Sequence, residues 1–228
     1  TSDAEIISCI ITKERITSSS IEEAINKAMS RLRGGYTFVV MSPQKLIVAR
    51  DENGLHPICY GKRENGEYVI ASETCALDSV GAVFVRELEP GEILVFSKDG
   101  IKSIRNHCGK KPERMCVFEY VYTARPDSSI CGCSVHEARK RAGAFLAKAH
   151  PVEADVVIAV PDSGIGAAIG YSEQSGIPYE VGLMKNRYVA RTFIQPTQQM
   201  RENAVRIKLN VLKSVVKGKR VVMVDDSI

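Results

Sequence analysis

Arg220-Val221-Val222-Met223-Val224-Asp225-Asp226-Ser227-Ile228 is an aliphatic run that ends in two adjacent acids. Such a run predicts a strand over 220–225. In an open parallel sheet, ligands bind beyond the carboxyl ends of the strands, which is where this acid pair would stand. Two neighbouring carboxylates can hold a hard cation such as Mg²⁺, or accept hydrogen bonds from two sugar hydroxyls. A solvated strand-to-loop corner would carry the same residues, because Asp is common in turns.

The segments before it share one rhythm. Helix 136–149, strand 155–160, helix 165–175, strand 179–184 and helix 204–217 alternate on the way to strand 220–225, which predicts βαβ units and a parallel sheet. Val156-Val157-Ile158-Ala159-Val160 is apolar on both faces, as a central parallel strand should be. It leads through Pro161-Asp162-Ser163-Gly164 into helix 165–175. Strand, tight turn and helix N-terminus make an anion site, because free backbone N–H groups point outward there. A plain turn capped by Ser163 or Asp162 is the alternative. Lys185-Asn186-Arg187-Tyr188-Val189-Ala190-Arg191-Thr192-Phe193-Ile194-Gln195-Pro196 is basic and loop-like. Its cations suit an anionic leaving group such as a pyrophosphate, or else line a solvated loop.

Upstream the rhythm differs. Ser20-Ile21-Glu22-Glu23 is a capping box that opens a helix over 20–33, with Ile21, Ile25, Ala28, Met29 and Leu32 on one face. Gly34-Gly35 ends it. Strands are expected at 36–41, 45–49, 68–71 and 92–96, separated by the turns 51–54, 64–66 and 98–100. A layered α+β module over 1–100, a polar linker over 101–115 and an α/β parallel-sheet domain over 116–228 follow from this reading.

The composition excludes several classes. Of 228 residues, 44% are hydrophobic and 25% charged, so a soluble globular core is expected. The net charge of +4 comes from Lys and Arg spread along the chain, which gives no nucleic-acid footprint. No run approaches ~18 apolar residues, so no membrane span is expected. Seven scattered cysteines without a CxxC pair point to a reducing, cytosolic setting rather than a disulfide framework. The first residue is not Met and the last run is strand-like, so both ends read as cut.

Several of these stretches resemble known families. The strand with its two acids is similar to the phosphoribosyl pyrophosphate (PRPP) motif of type I phosphoribosyltransferases. Lys185 to Pro196 matches the mobile loop of the glutamine PRPP amidotransferases almost residue for residue. Tyr120-Val121-Tyr122-Thr123-Ala124-Arg125-Pro126-Asp127-Ser128 looks like the start of that family's transferase domain. Asp51-Glu52-Asn53-Gly54-Leu55-His56-Pro57 and Ala71-Ser72-Glu73-Thr74-Cys75-Ala76 look like the second half of its glutaminase domain.

The resemblance implies a fold and a reaction. The fold is part of an N-terminal-nucleophile hydrolase αββα glutaminase domain, followed by an incomplete type I phosphoribosyltransferase domain. The reaction makes 5-phosphoribosylamine, pyrophosphate and glutamate from PRPP, glutamine and water, the first committed step of purine synthesis. It implies that Asp225, Asp226 and Ser227 hold PRPP or a nucleotide, with Asp225, Asp226 and Ser163 on Mg²⁺. Ser163 and Gly164 would lie in the pyrophosphate loop, and Lys185, Arg187 and Arg191 are candidates for phosphate contact. Asp3 would hold the α-amino group of glutamine, unless it simply caps a helix. Cys116 would be one of four ligands of a [4Fe–4S] cluster, unless it is a buried small hydrophobe.

The family's catalytic N-terminal Cys is not in this sequence, so glutamine hydrolysis by the chain alone is not expected. Thr1 as a nucleophile is rejected, because Thr1-Ser2-Asp3 matches an internal family segment. The resemblance also implies feedback by purine nucleotides and a cytoplasmic homotetramer. A purine-salvage transferase and a non-catalytic nucleotide-binding module are the competing readings.

Overall fold

The structure, a computed structural model, describes residues 2–188 and 197–227. The chain divides into two units, Thr1–Glu119 with Ser129–Gly132 and Tyr120–Ser128 with Cys133–Ile228.

The first unit opens with helix α1 (Asp3–Arg15), whose N-cap Ser2 accepts from the Glu5 N–H at 3.3 Å. Asp3 and Glu5 lie at its positive end, Lys13 and Arg15 at its negative end. Helix α2 (Ile21–Met29) is capped by Ser20, which accepts from the Glu23 N–H at 3.2 Å. Glu23 reaches back to Ser19 rather than Ser20, accepting from its N–H at 2.8 Å and its hydroxyl at 2.6 Å. The helix stops at Met29, short of the 33 that the apolar period predicts. Ala24, Ile25, Ala28 and Met29 are buried, and past the cap Ser30 the Arg31 and Leu32 N–H groups both donate to the Ala28 carbonyl, at 2.9 and 3.1 Å, in a closing turn.

Strands β1 (Thr37–Met41), β2 (Lys45–Arg50), β3 (Cys59–Lys62) and β4 (Tyr68–Ala71) follow, then helix α3 (Thr74–Ser79). Strands β5 (Val83–Glu87), β6 (Ile93–Ser97), β7 (Gly100–Ile104) and the short β8 (Ser129–Ile130) complete the unit. One antiparallel sheet has the order β1-β2-β6-β7, a second the order β4-β3-β5. Side-chain alternation builds the layers. Ile47, Ala49, Ile93 and Val95 pack on α1 and α2. Val48, Leu94 and Phe96 point the other way, onto Ile58, Tyr60 and Leu88. Cys59, Val69 and Ala71 face Leu77 of α3. The layers run helices, sheet, sheet, helix. Residues 101–104, placed by the sequence in a linker, instead belong to the edge strand β7 on β6.

Charges are buried here as fully bonded hubs. Arg50 is 1% exposed and donates to the carbonyls of His56, Leu88 and Gly54 at 2.9, 2.6 and 3.0 Å. Asp51 accepts from the N–H groups of Asn53, Leu55 and Tyr36 at 2.9, 3.1 and 3.3 Å. Glu92 is fully buried and takes both Arg86 nitrogens at 2.7 and 2.8 Å, with the Ser103 hydroxyl at 2.6 Å.

The second unit carries a π-helical turn from the adjoining Glu119 through Thr123, then β9 (Cys133–Ser134) and helix α4 (Val135–Ala149). Next come β10 (Val156–Ala159), α5 (Ile165–Ser175) and β11 (Leu183–Lys185). Helix α6 (Gln198–Lys208), β12 (Leu209–Val211), the single turn α7 (Lys213–Val216) and β13 (Val221–Val224) finish it. β10 and β13 are parallel in register, Val156 opposite Val221 through Ala159 opposite Val224. Tyr179 bridges Val157 in parallel, so the expected strand 179–184 is one bridge followed by β11. The expected helix 204–217 is replaced by α6, β12 and α7. Pairing of Leu209–Val211 with Leu183–Lys185 overrides local helix preference there.

Helices α4 and α5 touch backbone to backbone. A Cβ on Gly143 would lie 1.8 Å from the Ala167 carbonyl oxygen, and one on Gly170 1.9 Å from that of Lys140. Buried Arg139 donates from Nε to the Tyr120 carbonyl at 2.7 Å and from Nη2 to that of Ala124 at 2.8 Å. It thereby fixes the π turn to α4.

Candidate functional site

The carboxyl ends of β10 and β13 lie side by side, and the Val160 N–H continues the ladder onto the Val224 carbonyl at 2.9 Å. The turn 161–164 then folds back, with the Gly164 N–H on the Val160 carbonyl at 3.1 Å. A Cβ on Gly164 would meet the Val224 oxygen at 2.6 Å and the Asp225 Cα at 3.3 Å. Only glycine lets the start of α5 lie this close to the acid pair. The Pro161–Asp162 peptide bond is cis.

This packing joins Ser163 to Asp226, whose Oδ1 accepts from the Ser163 hydroxyl at 2.9 Å. The Asp226 N–H donates to Asp225 Oδ1 at 2.8 Å. Partial burial pushes the Asp225 carboxyl above its ordinary value, and the neighbouring Asp226 side chain adds to this. Neither acid is ion-paired with a Lys or Arg among the described residues. Two adjacent carboxylates and a hydroxyl without a counter-ion form a hard-oxygen donor set, which fits Mg²⁺. Ser227 is exposed beside them.

Lys185 and Arg187 line a cleft of about 550 Å³ with Asp162, Tyr179 and Leu183. Lys185 Nζ lies 2.5 Å from Asp162 Oδ2. Asp162 was read from sequence only as a possible cap, and its contact with Lys185 had no local signal. Arg191 lies outside the described residues. A second cavity of about 260 Å³ is walled by Ala142, Leu146 and Val224 together with Ser163, Asp225 and Asp226.

In the first unit Asp3 is not a helix cap; Ser2 has that role. Asp3 is exposed and lines a groove of about 900 Å³ with Arg33, Tyr36 and His56. Cys116 is partly buried and its N–H donates to the Leu55 carbonyl at 3.0 Å. No group of three His, Cys, Asp or Glu placed to hold a metal occurs among the described residues, so the described thiols do not form a cluster site. Cys131, left without a role by the sequence, adopts a φ of 48° and donates its N–H to Glu87 at 2.6 Å. Cys133 Sγ accepts from Arg141 at 2.9 Å. No helix among the described residues is long and apolar enough to cross a membrane.

Known proteins resemble this chain along its length. A glutamine amidotransferase domain model matches residues 1–79. Amidophosphoribosyltransferase of Bacillus subtilis (strain 168) is 52% identical over 227 residues, which cover 100% of this chain and 47% of the relative. The enzyme of Staphylococcus aureus (strain MRSA252) is 45% identical, covering 100% and 45%. The chain thus spans about half the length of the curated relatives it matches. Among solved structures, glutamine PRPP amidotransferase from B. subtilis, complexed with ADP and GMP, superposes with a TM-score of 0.89 at 51% identity, over 100% of this chain and 49% of that one. A structure described as the allosteric regulatory enzyme of purine biosynthesis gives 0.85 at 50% identity, over 97% and 47%.

Proposed function

Since this chain matches amidophosphoribosyltransferases from end to end, we propose that it performs the PRPP-binding part of their reaction and contributes to their glutamine site. In the whole protein, glutamine and water give glutamate and ammonia. The ammonia then displaces pyrophosphate from C1 of PRPP to give 5-phosphoribosylamine. The observation that carries the reading is the juxtaposition of Ser163 with Asp225 and Asp226, acids with no cationic partner among the described residues, at the carboxyl ends of two parallel strands.

The residues take roles from their chemistry. Asp225 and Asp226 accept from the two ribose hydroxyls and, with Ser163, would hold Mg²⁺. When bound, Mg²⁺ neutralises charge on the diphosphate. Lys185 and Arg187, which line the cleft, would neutralise the leaving diphosphate, whose charge grows as the C1–O bond breaks, and the family resemblance adds Arg191 as a third candidate. The exposed Asp3 carboxylate pairs with the α-ammonium of glutamine. The chain would also take purine nucleotides; the B. subtilis relative is complexed with ADP and GMP.

Residues 1–100 belong, on this reading, to a glutaminase domain and 116–228 to a phosphoribosyltransferase domain. Cys116 would serve a [4Fe–4S] cluster only with three thiolates from elsewhere. A cytoplasmic homotetramer completes the proposal.

The test is PRPP-dependent release of glutamate from glutamine by the whole protein with Mg²⁺, beside its Asp225→Asn/Asp226→Asn variant. Activity lost in the variant supports the reading. Transfer of phosphoribose to a free purine base, with no glutamate released, would replace it with a salvage transferase.

A further inference from the structure

The turn that gives Ser163 to Asp226 gives its neighbour to a cation. Asp162 Oδ2 lies 2.5 Å from Lys185 Nζ, and their side chains are 71% and 32% exposed. Lys185 is the last residue of β11 and pairs with Leu209 of β12. One residue on, the Asn186 N–H donates to the Lys208 carbonyl at 2.7 Å. The backbone of Lys185 is therefore pinned at the foot of the segment 186–208, and only its side chain is free to change partners. Asp162 is held by its own turn, where its carbonyl accepts from the Ile165 N–H at 3.4 Å. Among the described residues lining the cleft, Asp162 is the one acid, against Lys185 and Arg187.

We infer that Asp162 is an internal competitor for Lys185: its carboxylate holds the ammonium in the free protein, and an incoming diphosphate takes the ammonium over. This rests on the PRPP reading above and adds to it a specificity-determining residue that the sequence did not single out. The exchange is physically easy. A solvent-exposed Lys–Asp pair is worth at most about 1 kcal/mol, so it holds a side chain without locking it. A diphosphate carries more charge than one carboxylate and can bridge Lys185 to Arg187. The displaced carboxylate is already mostly in water, so its release costs little solvation. The contact thus keeps Lys185 oriented toward the cleft and sets a threshold that the ligand must exceed.

The experiment is calorimetric titration of inorganic pyrophosphate into the whole protein that contains this chain, with and without Mg²⁺. Wild type is compared with Asp162→Asn, Lys185→Gln and the double variant. Asp162→Asn should tighten pyrophosphate binding roughly 2- to 5-fold, the value of one exposed ion pair. In the Lys185→Gln background the same change should have no effect, because the competition is gone. Equal tightening in both backgrounds would overturn the inference, since simple repulsion between Asp162 and the anion acts without Lys185. Unchanged or weaker binding in Asp162→Asn would overturn it as well. Asp162→Ser, another residue suited to turns, repeats the test with a different side chain. A wild-type chain that binds no pyrophosphate in either buffer would sink the PRPP reading itself, a result distinct from either failure above.

Discussion

The charged hubs of the first unit and the strand-end charges of the second are placed in opposite ways, although the second unit also has one buried hub in Arg139. In the first, Arg50, Asp51 and Glu92 are buried, and each is bonded to several partners. In the second, Asp162, Asp225 and Lys185 stand at strand ends, exposed or half-exposed and with few bonds. A buried charge must be satisfied, because desolvation leaves it no other partner. Such a hub fixes loops and is unavailable to a ligand. A strand-end charge in water keeps bonding capacity free. Two acids side by side, without a counter-ion among the described residues, raise each other's energy, which a bound cation or sugar would relieve.

Substitutions can break this contrast. Arg50→Met leaves the carbonyls of Gly54, His56 and Leu88 without a donor. It should cost about 4 kcal/mol of stability in denaturant unfolding. A loss below about 1 kcal/mol would show that the hub holds nothing. Gly143→Ala forces a methyl into the Ala167 carbonyl and should cost about 3 kcal/mol, because the clash is with backbone rather than a flexible side chain. Measured by the same unfolding curve, a neutral effect would mean that the α4–α5 seam is loose. Arg220→Gln removes the exposed pairs to Asp155 and Glu153 and should leave the melting midpoint unchanged within error.

Acid should separate the units as well. Glu92 is held below its ordinary value by Arg86 and Ser103, against the opposing effect of burial. Glu52 is lowered in the same way by Lys111 and His107. Their stabilisation is present above the unfolded carboxylate pKa and is lost as pH falls through the folded one. Asp225 is raised, so its ionised form is the strained one, and acidification relieves it. Chemical denaturation from pH 7 downward should therefore weaken the first unit in the low carboxylate range. Mg²⁺-dependent ligand binding at Asp225 should begin to fail at higher pH than for an ordinary Asp. If the two losses coincide, Asp225 does not titrate at the site.

Much of this was legible because the signals are local. Helix α5 runs from Ile165 to Ser175 as its pattern predicts, and the all-buried Val156–Ala159 was readable from its unbroken apolar run. The acid pair stood out because aliphatic residues deliver it to a strand end. Helix α1 enters the sequence reading only as the alternative in which Asp3 caps a helix, because its apolar residues spread around the helix and only Ile11 is buried. Its cap, Ser2 with Glu5 three residues on, was nevertheless in the sequence. Strand β3 hid behind Gly61 and Lys62, which lower strand preference, and β7 behind its exposed polar face. The false helix over 204–217 and the unforeseen Asp162–Lys185 pair share a cause. Both depend on β11 meeting β12, a pairing between distant segments that no local window contains.

The most direct test of the central claim is calorimetric titration of PRPP into the whole protein that contains this chain, with Mg²⁺, beside its Asp225→Asn/Asp226→Asn variant. The account predicts saturable, Mg²⁺-dependent binding that weakens roughly 30-fold or more in a variant whose melting midpoint is equal or higher. Binding of equal strength in the two proteins would contradict it and remove the acid pair from the site.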